Sequence, residues 1–252
     1  MELKTSIRDR LRQYPILHYL TRSLYRFSIR QPEPLMSRLI RAALRDKDEV
    51  FFIQVGSHDG ITGDPIHNLI IENIRYQGIF IEPVPHSFER LKKTYQCAKN
   101  SSQRLRFENI AIAQTNETRK FYYLSQDIKD DKALINSLPL TYDQLSSFNR
   151  KHLETLGEEI IPYIVETDVP CLSLQELLIK HQVKNLDLIH IDVEGFDYFV
   201  LAQIDFSRYR PKVILYEHVH LTVYEKDSAI ALLHQHDYEL LTHGGDTLAI
   251  LK

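Results

Sequence analysis

The stretch Phe51-Phe52-Ile53-Gln54-Val55-Gly56-Ser57-His58-Asp59-Gly60 decides the fold class of this chain. Its apolar half is typical of a buried strand, and the strand ends in a turn that is bracketed by glycines and carries a carboxylate. A second apolar run, Gly78-Ile79-Phe80-Ile81, ends in Glu82 after an interval long enough for one helix. A doubly wound sheet holds a ribose with such an acidic side chain at the tip of one strand, beside a glycine turn at the tip of its neighbour. The sequence therefore predicts a site for a nucleoside-containing cofactor.

Strand-like and helix-like segments alternate from residue 50 onward. The predicted strands are Val50 to Val55, Gly78 to Glu82, Leu105 to Ala111, Leu186 to Asp192, Lys212 to Glu217, Tyr238 to Thr242 and Thr247 to Leu251. The predicted helices are Ile66 to Arg75, Ser87 to Lys99, Ser173 to His181, Tyr198 to Gln203 and Lys226 to His236. Nearly continuous apolar strands indicate a sheet that is covered on both faces. We predict an α/β, Rossmann-like three-layer sandwich with a mostly parallel seven-stranded sheet, whose last strand is antiparallel because the turn at residues 243–246 forms a hairpin.

Residues 125–168 interrupt this alternation. They are polar, carry several charges and contain no obvious strand, although a helix fits around Thr141 to Leu156. Because loops in compact domains are usually far shorter, we predict a lid-like insertion that shapes a substrate pocket. The candidates for substrate contact are Ser147, Phe148, Asn149, Lys151 and His152. A surface excursion without such a role is the alternative.

The first 45 residues form a separate basic segment, with ten lysines and arginines against three acidic residues. Apolar residues recur at helical spacing up to Phe27, with Pro15 as a kink, and residues 31–34 form a proline-rich hinge before a short helix from Leu35 to Leu44. We predict a basic helical arm at 1–45 and a main domain at 46–252. The arm has three alternative roles: packing on its own domain, forming a homodimer, or contacting anionic lipids at a membrane surface.

Bulk properties exclude several classes of protein. Hydrophobic residues make up 43% of the chain and charged residues 26%, which is ordinary for a soluble globular protein, and the net charge of −3 gives no reason to expect a nucleic-acid partner. The two cysteines, Cys97 and Cys171, have no paired spacing, which argues against a disulfide framework and a thiolate zinc site. No apolar run reaches about 18 residues and no secretory signal is recognisable, so we predict no transmembrane segment and a cytoplasmic location.

The first turn also discriminates between cofactors. It lacks the G-x-G-x-x-G pattern with which backbone amides approach a pyrophosphate, and Asp59 would repel a diphosphate. A nicotinamide-dependent oxidoreductase is therefore disfavoured. S-adenosylmethionine suits the turn better, because it has no phosphate and its ammonium and sulfonium groups favour nearby carboxylates.

Three sequence blocks resemble the FkbM family of S-adenosylmethionine-dependent methyltransferases. They are Gln54-Val55-Gly56-Ser57-His58-Asp59-Gly60, Gly78-Ile79-Phe80-Ile81-Glu82-Pro83 and Asp187-Leu188-Ile189-His190-Ile191-Asp192-Val193-Glu194-Gly195-Phe196-Asp197. The resemblance covers roughly residues 50–251, with each block at the carboxyl end of a predicted strand. It implies transfer of a methyl group to an acceptor, with a hydroxyl of a sugar, glycan or small natural product as the expected acceptor class.

The resemblance also implies roles for individual residues. The methionine part of the cofactor would be surrounded by Gly56, Ser57, Asp59 and Gly60, and its ribose would be bound by Glu82. The adenine would lie near Asn109, Ile110 and Ala111. Asp192 would lie beside the sulfonium and the acceptor. The family often has asparagine or a small residue at the position of His58. That difference leaves open whether His58 contacts cofactor or acceptor, or only caps a helix.

A hydroxyl acceptor needs a base that removes its proton, and histidine is the commonest one. The candidates are His58, His152, His218 and His220, and His218 is closer to a strand tip than His220. The predicted catalytic set is His58, Asp192 and His218. Asp64 precedes a proline and a helical pattern, and is interpreted as a helix cap.

Two alternatives remain at this point. Asp192, Glu194, Glu217 and His218 could gather a divalent cation such as Mg²⁺ or Mn²⁺, although their spacing is not a metal-binding motif. The chain could also be a non-catalytic Rossmann-like binding or scaffold module, because a retained fold does not guarantee catalysis.

Overall fold

The computed structural model describes residues 33–139 and 142–252, and the residues from Met36 to Lys252 form one compact unit. Its main sheet contains seven strands: β1 (Val50–Val55), β2 (Tyr76–Ile81), β3 (Leu105–Glu108), β8 (Leu188–Ile191), β9 (Val213–Glu217), β10 (Tyr238–His243) and β11 (Asp246–Leu251). The strand order is β10-β11-β9-β8-β1-β2-β3. Neighbours are parallel except that β11 runs antiparallel to both β9 and β10. The predicted α/β fold with an antiparallel last strand is confirmed, and that strand lies one place inside the edge.

Helices cover both faces of this sheet. The described helices are α1 (Leu35–Ala43), α2 (His67–Glu72), α3 (Pro85–Gln96), α4 (Ser101–Arg104), α5 (Lys132–Ser137), α6 (Arg150–Glu154), α7 (Leu174–Lys180), α8 (Asp197–Leu201) and α9 (Val223–Gln235), with 3₁₀ turns at Gln126–Asp130 and Glu158–Tyr163. Within β1, Ile53 packs with residues of α7, α8 and α9, whereas its neighbour Phe52 packs with residues of α1, α2 and α3. This alternation divides the core into two apolar layers, as expected for a parallel sheet buried on both faces.

Helix starts follow from side chains that bind free backbone N–H groups. Thr222 and Glu225 form a capping box, so α9 begins at Val223 and not at the predicted Lys226. Before α2, Oδ1 of Asp64 accepts a hydrogen bond of 2.8 Å from the N–H of Ile66. Asp64 therefore stabilises the turn that leads into α2, close to its predicted role as a cap.

The predicted strand from Leu105 to Ala111 is two strands in different sheets. Leu105–Glu108 pairs with β2, while β4 (Ala111–Ile112) pairs with β7 (Ile164–Leu172). Between them, Nδ2 of Asn109 donates to the carbonyl oxygens of Glu82 and Pro83 at 2.7 and 3.1 Å. These side-chain bonds hold the chain where it leaves the main sheet.

A second sheet has the order β4-β7-β5-β6, with β5 at Glu117–Leu124 and β6 at Ser146–Ser147. The prediction that residues 125–168 contain no strand is wrong, because β6 and the first half of β7 lie there, and β5 was missed altogether. Polar residues alternate along both long strands, so neither forms an apolar run. Lys120 on β5 pairs across the strands with Glu166 and Asp168 at 3.1 Å each.

The predicted helix from Thr141 to Leu156 is also wrong over most of its length. Thr141 lies outside the described residues, β6 occupies 146–147, and only Arg150–Glu154 is helical. Asn149 ends the extended segment, because its Oδ1 accepts a hydrogen bond from the N–H of Lys151 and starts α6. The segment between β5 and β7 has its own small core, in which Leu124, Ile128, Leu153 and Ile160 are buried.

The predicted short helix at the end of the basic segment is present as α1. Met36, Ile40 and Leu44 are buried with Val50 and Phe52, so this helix belongs to the compact unit that starts at Met36 and not to an arm that ends at residue 45. The rest of the predicted arm lies outside the described residues. Among the helices that the structure describes, none combines the length and apolar character needed to cross a membrane.

Candidate active site

A cavity of about 370 Å³ lies at the carboxyl ends of the central strands. Gly56 after β1, Glu82 after β2, Asp192 after β8 and Glu217 at the end of β9 all line it. The segment between β5 and β7 forms the opposite wall, with Tyr142, Ser147, Phe148 and His152 among its lining residues. Carboxyl ends of parallel strands are where open α/β sheets bind ligands.

Gly56 allows the turn after β1 to lie directly against the backbone of Asp192 at the tip of β8. Its φ is +79°, and a Cβ atom built there would lie 1.7 Å from the carbonyl oxygen of Asp192. A side chain cannot fit, so glycine is required both for the left-handed backbone and for the contact with the β8 tip. The predicted position of Gly56 beside the cofactor site agrees with its place in the cavity wall.

Glu82 is 5% exposed and holds two segments of backbone at the cavity wall. Its Oε2 accepts a hydrogen bond of 2.7 Å from the N–H of His58, and its Oε1 accepts one of 2.8 Å from the N–H of Val84. Burial raises the pKa of Glu82, although these bonds and the nearby His58 oppose the rise. Each carboxylate oxygen retains a second lone pair, so the group can still accept a hydrogen bond from a bound hydroxyl.

The side chains of Ser57 and Asp59, in the turn after β1, form hydrogen bonds with the protein backbone. The Ser57 hydroxyl donates to the carbonyl of Gln54 and accepts from the N–H of Ile81, both at 3.2 Å. Oδ1 of Asp59 accepts from the N–H groups of Ile61 and Thr62 at 2.9 and 2.8 Å. Burial acts to raise the pKa of Asp59, but the adjacent His58 ring and these hydrogen bonds hold it well below its usual range. Neither side chain lines the cavity.

Gly60 and Asn109 also lie behind the cavity wall. A Cβ atom at Gly60 would lie 2.7 Å from the Tyr95 ring and 2.8 Å from Leu91, so this glycine makes room for α3 and not for a ligand. The amide of Asn109 binds backbone carbonyls, as described above, whereas Ala111 and Ile112 beyond it do line the cavity. Of the eight predicted cofactor residues, the structure therefore places four in the cavity wall: Gly56, Glu82, Ala111 and Asp192.

The His58 ring lines the cavity but is not free to act as a base. Its Nε2 lies 2.8 Å from Nη2 of Arg90, which can only donate, so Nε2 must accept that hydrogen bond. Its Nδ1 lies 3.6 Å from Oδ1 of Asp59, beyond hydrogen-bond distance. Nη1 of the same arginine lies 3.6 Å from Oδ2 of Asp143, so Arg90 links the turn after β1 to the segment between β5 and β7.

Asp192 lines the cavity at the tip of β8, next to Gly56 of the turn after β1. Asp192 is exposed to the cavity. The protein groups around its carboxylate reduce its hydration and raise its pKa to about 7, and repulsion from Glu194 adds to the effect. A bound cation would remove that repulsion and favour the ionised carboxylate. Its place beside a sulfonium stays a prediction.

His220, and not the predicted His218, is the imidazole that faces the cavity after β9. Nδ1 of His218 lies 3.0 Å from Oγ1 of Thr247, and its ring is not part of the cavity wall. A turn follows, in which the N–H of Leu221 donates to the carbonyl of His218 and reverses the chain direction. This turn brings His220 to the cavity, which strand alternation alone does not reveal.

His152, on α6 of the insertion, lies near the acidic end of the cavity. Its ring is perpendicular to that of His220, with the ring centroids 6.0 Å apart. Its Nε2 is shielded from solvent and has no hydrogen-bond partner among residues 33–139 and 142–252. Of the five residues predicted to contact substrate, Ser147, Phe148 and His152 line the cavity, whereas Asn149 caps α6 and Lys151 is exposed.

Aromatic rings form one side of the cavity. Phe148 lies edge-on to Phe121 at 5.0 Å and near Phe196 at 5.6 Å, and the Arg119 guanidinium lies 4.3 Å above the Phe148 ring. The contributing residues come from β5, the insertion and the loop after β8. Since they are far apart in sequence, no local pattern could identify this wall.

Three acidic residues also line the cavity: Asp192, Glu194 and Glu217. Burial raises the pKa of Glu217 to about 9, with further repulsion from Asp192 and Glu194, and burial likewise raises the pKa of Glu194. Nε2 of His220 lies 3.4 Å from Oε2 of Glu194 and 3.8 Å from Oε2 of Glu217. Of the four residues predicted to gather a cation, only Glu194 and Glu217 lie in this cluster, and its third member is His220.

The sequence profile of the FkbM methyltransferase domain matches residues 54–240, about three quarters of the chain. The chain belongs to the FkbM methyltransferase family. It is therefore a methyltransferase, and S-adenosylmethionine is its methyl donor. A search of curated protein sequences gave no significant match.

Solved structures of low sequence identity are similar to this FkbM chain. An FkbM methyltransferase from Methylobacillus flagellatus is 12% identical with a TM-score of 0.48, over 81% of this chain and 44% of that one. A precorrin-6y C5,15-methyltransferase from Geobacter metallireducens is 10% identical with a TM-score of 0.42, over 86% and 87% of the two chains. A methyltransferase from Geobacter sulfurreducens is 12% identical with a TM-score of 0.44, over 98% and 96%. The family assignment rests on the sequence match alone.

The cavity of this FkbM chain has the groups that S-adenosylmethionine requires. Glu82 offers a buried carboxylate for ribose hydroxyls, and Ile81, Ala111 and Ile112 offer an apolar surface of the kind that an adenine ring contacts. Gly56 leaves its part of the wall without a side chain, and Asp192 provides negative charge where the cationic part of the molecule would lie. The residues present therefore fit this methyl donor.

Proposed function

We propose that this FkbM methyltransferase methylates a hydroxyl oxygen of a sugar, a glycan or another small polyhydroxyl natural product. The observation that carries the proposal is the buried, unpartnered Nε2 of His152 at the acidic end of the cavity. An imidazole nitrogen without a partner is available to accept a proton, and a hydroxyl acceptor must lose one during the reaction.

In this proposal, one end of the cavity binds the methyl donor and the other end binds the acceptor. Gly56, Glu82, Ala111 and Asp192 hold S-adenosylmethionine, which supplies an electrophilic methyl group when it is bound. His152 accepts the proton of the acceptor hydroxyl. Carboxylates and imidazoles near Glu194 and His220 are hydrogen-bonding groups of the kind that orient several hydroxyls of one molecule. The aromatic wall around Phe148 excludes water and can pack against a sugar ring.

Orientation provides much of the expected acceleration, because the methyl donor is already activated. Holding the acceptor oxygen in line with the transferred methyl group converts a bimolecular reaction into an effectively unimolecular one. The segment between β5 and β7 supports this role, since Nε2 of Gln144 donates to the carbonyl of Thr62 and Asp143 pairs with Arg90. These contacts fix the acceptor wall to the turn that follows β1.

The test is methyl transfer from isotope-labelled S-adenosylmethionine by the full chain to a panel of sugars and polyols, with amines and thiols as competing acceptors. We expect a product one CH₂ unit heavier, with the label on oxygen, from at least one polyol. A Glu82→Ala variant serves as the cofactor-binding control and should give less product when the methyl donor is below saturation. Label found only on nitrogen, sulfur or carbon would overturn the proposal.

A further inference from the structure

Three side chains bring metal-ligand atoms together at the acidic end of the cavity. Ligand atoms of Glu194, Glu217 and His220 all lie within 4.8 Å of one another. Glu194 follows β8, Glu217 ends β9, and His220 lies in the turn after β9. β8 and β9 are adjacent and parallel, so the sheet positions Glu217 directly, while Glu194 lies in the turn that follows β8.

The two carboxylates lack the partners that buried charges normally have. Oε2 of Glu194 and Oε2 of Glu217 are both shielded from solvent, and neither has a hydrogen-bond partner within the described part of the chain. The only ion-pair partner of either glutamate among residues 33–139 and 142–252 is His220, at 3.4 and 3.8 Å. Two partly buried carboxylates this close together either take up a proton or bind a positive group, and a cation between them would favour the ionised forms.

We propose that Glu194, Glu217 and His220 together bind one divalent cation of the Mn²⁺ or Mg²⁺ type. Two carboxylates and one imidazole are a mixed oxygen and nitrogen ligand set that suits Mn²⁺, with water or acceptor oxygens in the remaining positions. Ligands about 2.1 Å from an octahedral metal lie roughly 3 to 4 Å apart, and the separations from Nε2 of His220 fall in this range. Neither cysteine lines the cavity, so a thiolate site for a softer metal is not available there.

The catalytic part of this inference rests on the proposed function. A cation held by these three side chains binds the acceptor oxygen and makes its O–H group more acidic. The proton passes from that oxygen to Nε2 of His152, on the facing side of the cavity. The new O–CH₃ bond forms as the S–CH₃ bond breaks, and S-adenosylhomocysteine leaves as the neutral thioether.

The test measures Mn²⁺ binding directly, on the full chain treated with a chelator and then dialysed, without methyl donor or acceptor. Loss of the free-ion signal in electron paramagnetic resonance should show one bound Mn²⁺ per chain, displaced by excess Mg²⁺. Glu217→Gln and Glu194→Gln should each weaken binding by at least about tenfold, the scale on which disturbed metal sites lose affinity. His220→Gln, at the most exposed ligand, provides a second variant if either glutamate variant fails to fold.

Asp246→Asn is the matched control. Its carboxylate is close enough to raise the pKa of Glu217 but is not one of the three ligands, so its loss should leave Mn²⁺ binding within about threefold of the wild type. Absence of Mn²⁺ binding, or equal binding by the wild type and folded Glu217→Gln, would overturn the cation site. Titration with S-adenosylhomocysteine separates the two proposals, because a chain that binds it and methylates a polyol without Mn²⁺ retains the proposed function and loses only the metal.

Discussion

The backbone N–H of His58 donates a hydrogen bond of 2.7 Å to Oε2 of Glu82, and so joins the turn after β1 to the tip of β2. His58 adopts a positive φ of 46° in this turn, a conformation that is uncommon for residues other than glycine. The same carboxylate also holds the N–H of Val84. One acidic side chain thus shapes the wall against which the methyl donor is expected to lie.

Glu82→Ala should weaken binding of S-adenosylhomocysteine by about 1 to 3 kcal/mol, the scale for loss of hydrogen bonds to a charged group. Isothermal titration calorimetry measures the affinity. Glu89→Ala is the control, because Glu89 lies on α3, is exposed and, among the described residues, forms an ion pair only with Lys92. Equal affinity of Glu82→Ala and the wild type would remove Glu82 from the binding site.

Gly56→Ala should abolish binding of S-adenosylhomocysteine and lower the melting temperature, because its methyl group would meet the carbonyl oxygen of Asp192 at 1.7 Å. Gly63→Ala is the matched control. Gly63 also has a positive φ, of +71°, but a Cβ there has nothing within 4 Å, so only backbone strain of about 1 kcal/mol is expected. Differential scanning calorimetry compares the two variants. If both lose the same stability, the close contact at Gly56 is not the cause.

His152→Gln should lower kcat by about 10²- to 10⁴-fold, the usual contribution of a positioned base, and leave the affinity for S-adenosylhomocysteine unchanged. Glutamine keeps the size and polarity of the side chain but cannot take the proton. Lys151→Gln, at the exposed neighbouring position, is the control and should retain full activity. Methylation rates measured across a pH series would show whether the step that depends on an unprotonated base disappears with His152. A variant as fast as the wild type would exclude His152 as the base.

His190→Gln should reduce the loss of stability in acid. Burial within the sheet lowers the pKa of His190 to about 4, from about 6.5 in the unfolded chain, and Nε2 of Gln54 lies 3.1 Å from its Nδ1. Between these two pH values the unfolded chain binds more protons than the folded one. The free energy of unfolding therefore falls as the pH drops from 6.5 to 4, by up to about 3 kcal/mol for this group.

Urea unfolding at several pH values between 7.5 and 4.5 measures this effect. The wild type should lose more stability over that interval than His190→Gln, whose amide can still accept the hydrogen bond from Gln54. His243→Gln replaces an exposed imidazole and should follow the wild type. Parallel curves for the wild type and His190→Gln would contradict the assignment of a buried neutral His190.

Apolar runs revealed the central part of the fold from sequence. β1, β8 and β9 are buried on both faces, so each forms a continuous apolar segment that cannot be mistaken for a loop. β5 and β7 were not recognised, because their outward residues, such as Lys120 and Glu166, are charged and pair with each other. A sheet half exposed to solvent gives an alternating pattern that resembles polar loop sequence when charges are frequent.

The residues of the candidate site also fall into a group that could be predicted from sequence and a group that could not. Gly56, Glu82 and Asp192 follow apolar strands directly, so their meeting at one edge of the sheet could be predicted from the order of the strands. Phe121 and Phe148 meet across two strands of the second sheet, and His220 turns inward only because of the loop after β9. These contacts depend on tertiary packing between distant residues, which single-sequence patterns do not contain.

The place of β11 has a consequence for biosynthesis. This strand follows every other strand in the chain, yet it lies between β9 and β10 and pairs with both. During translation, β9 and β10 emerge first and must wait, with unpaired edges, until residues 246–251 leave the ribosome. The part of the sheet formed by β9, β10 and β11 therefore cannot close strand by strand, and a released chain truncated just before residue 246 should be the form most in need of a chaperone.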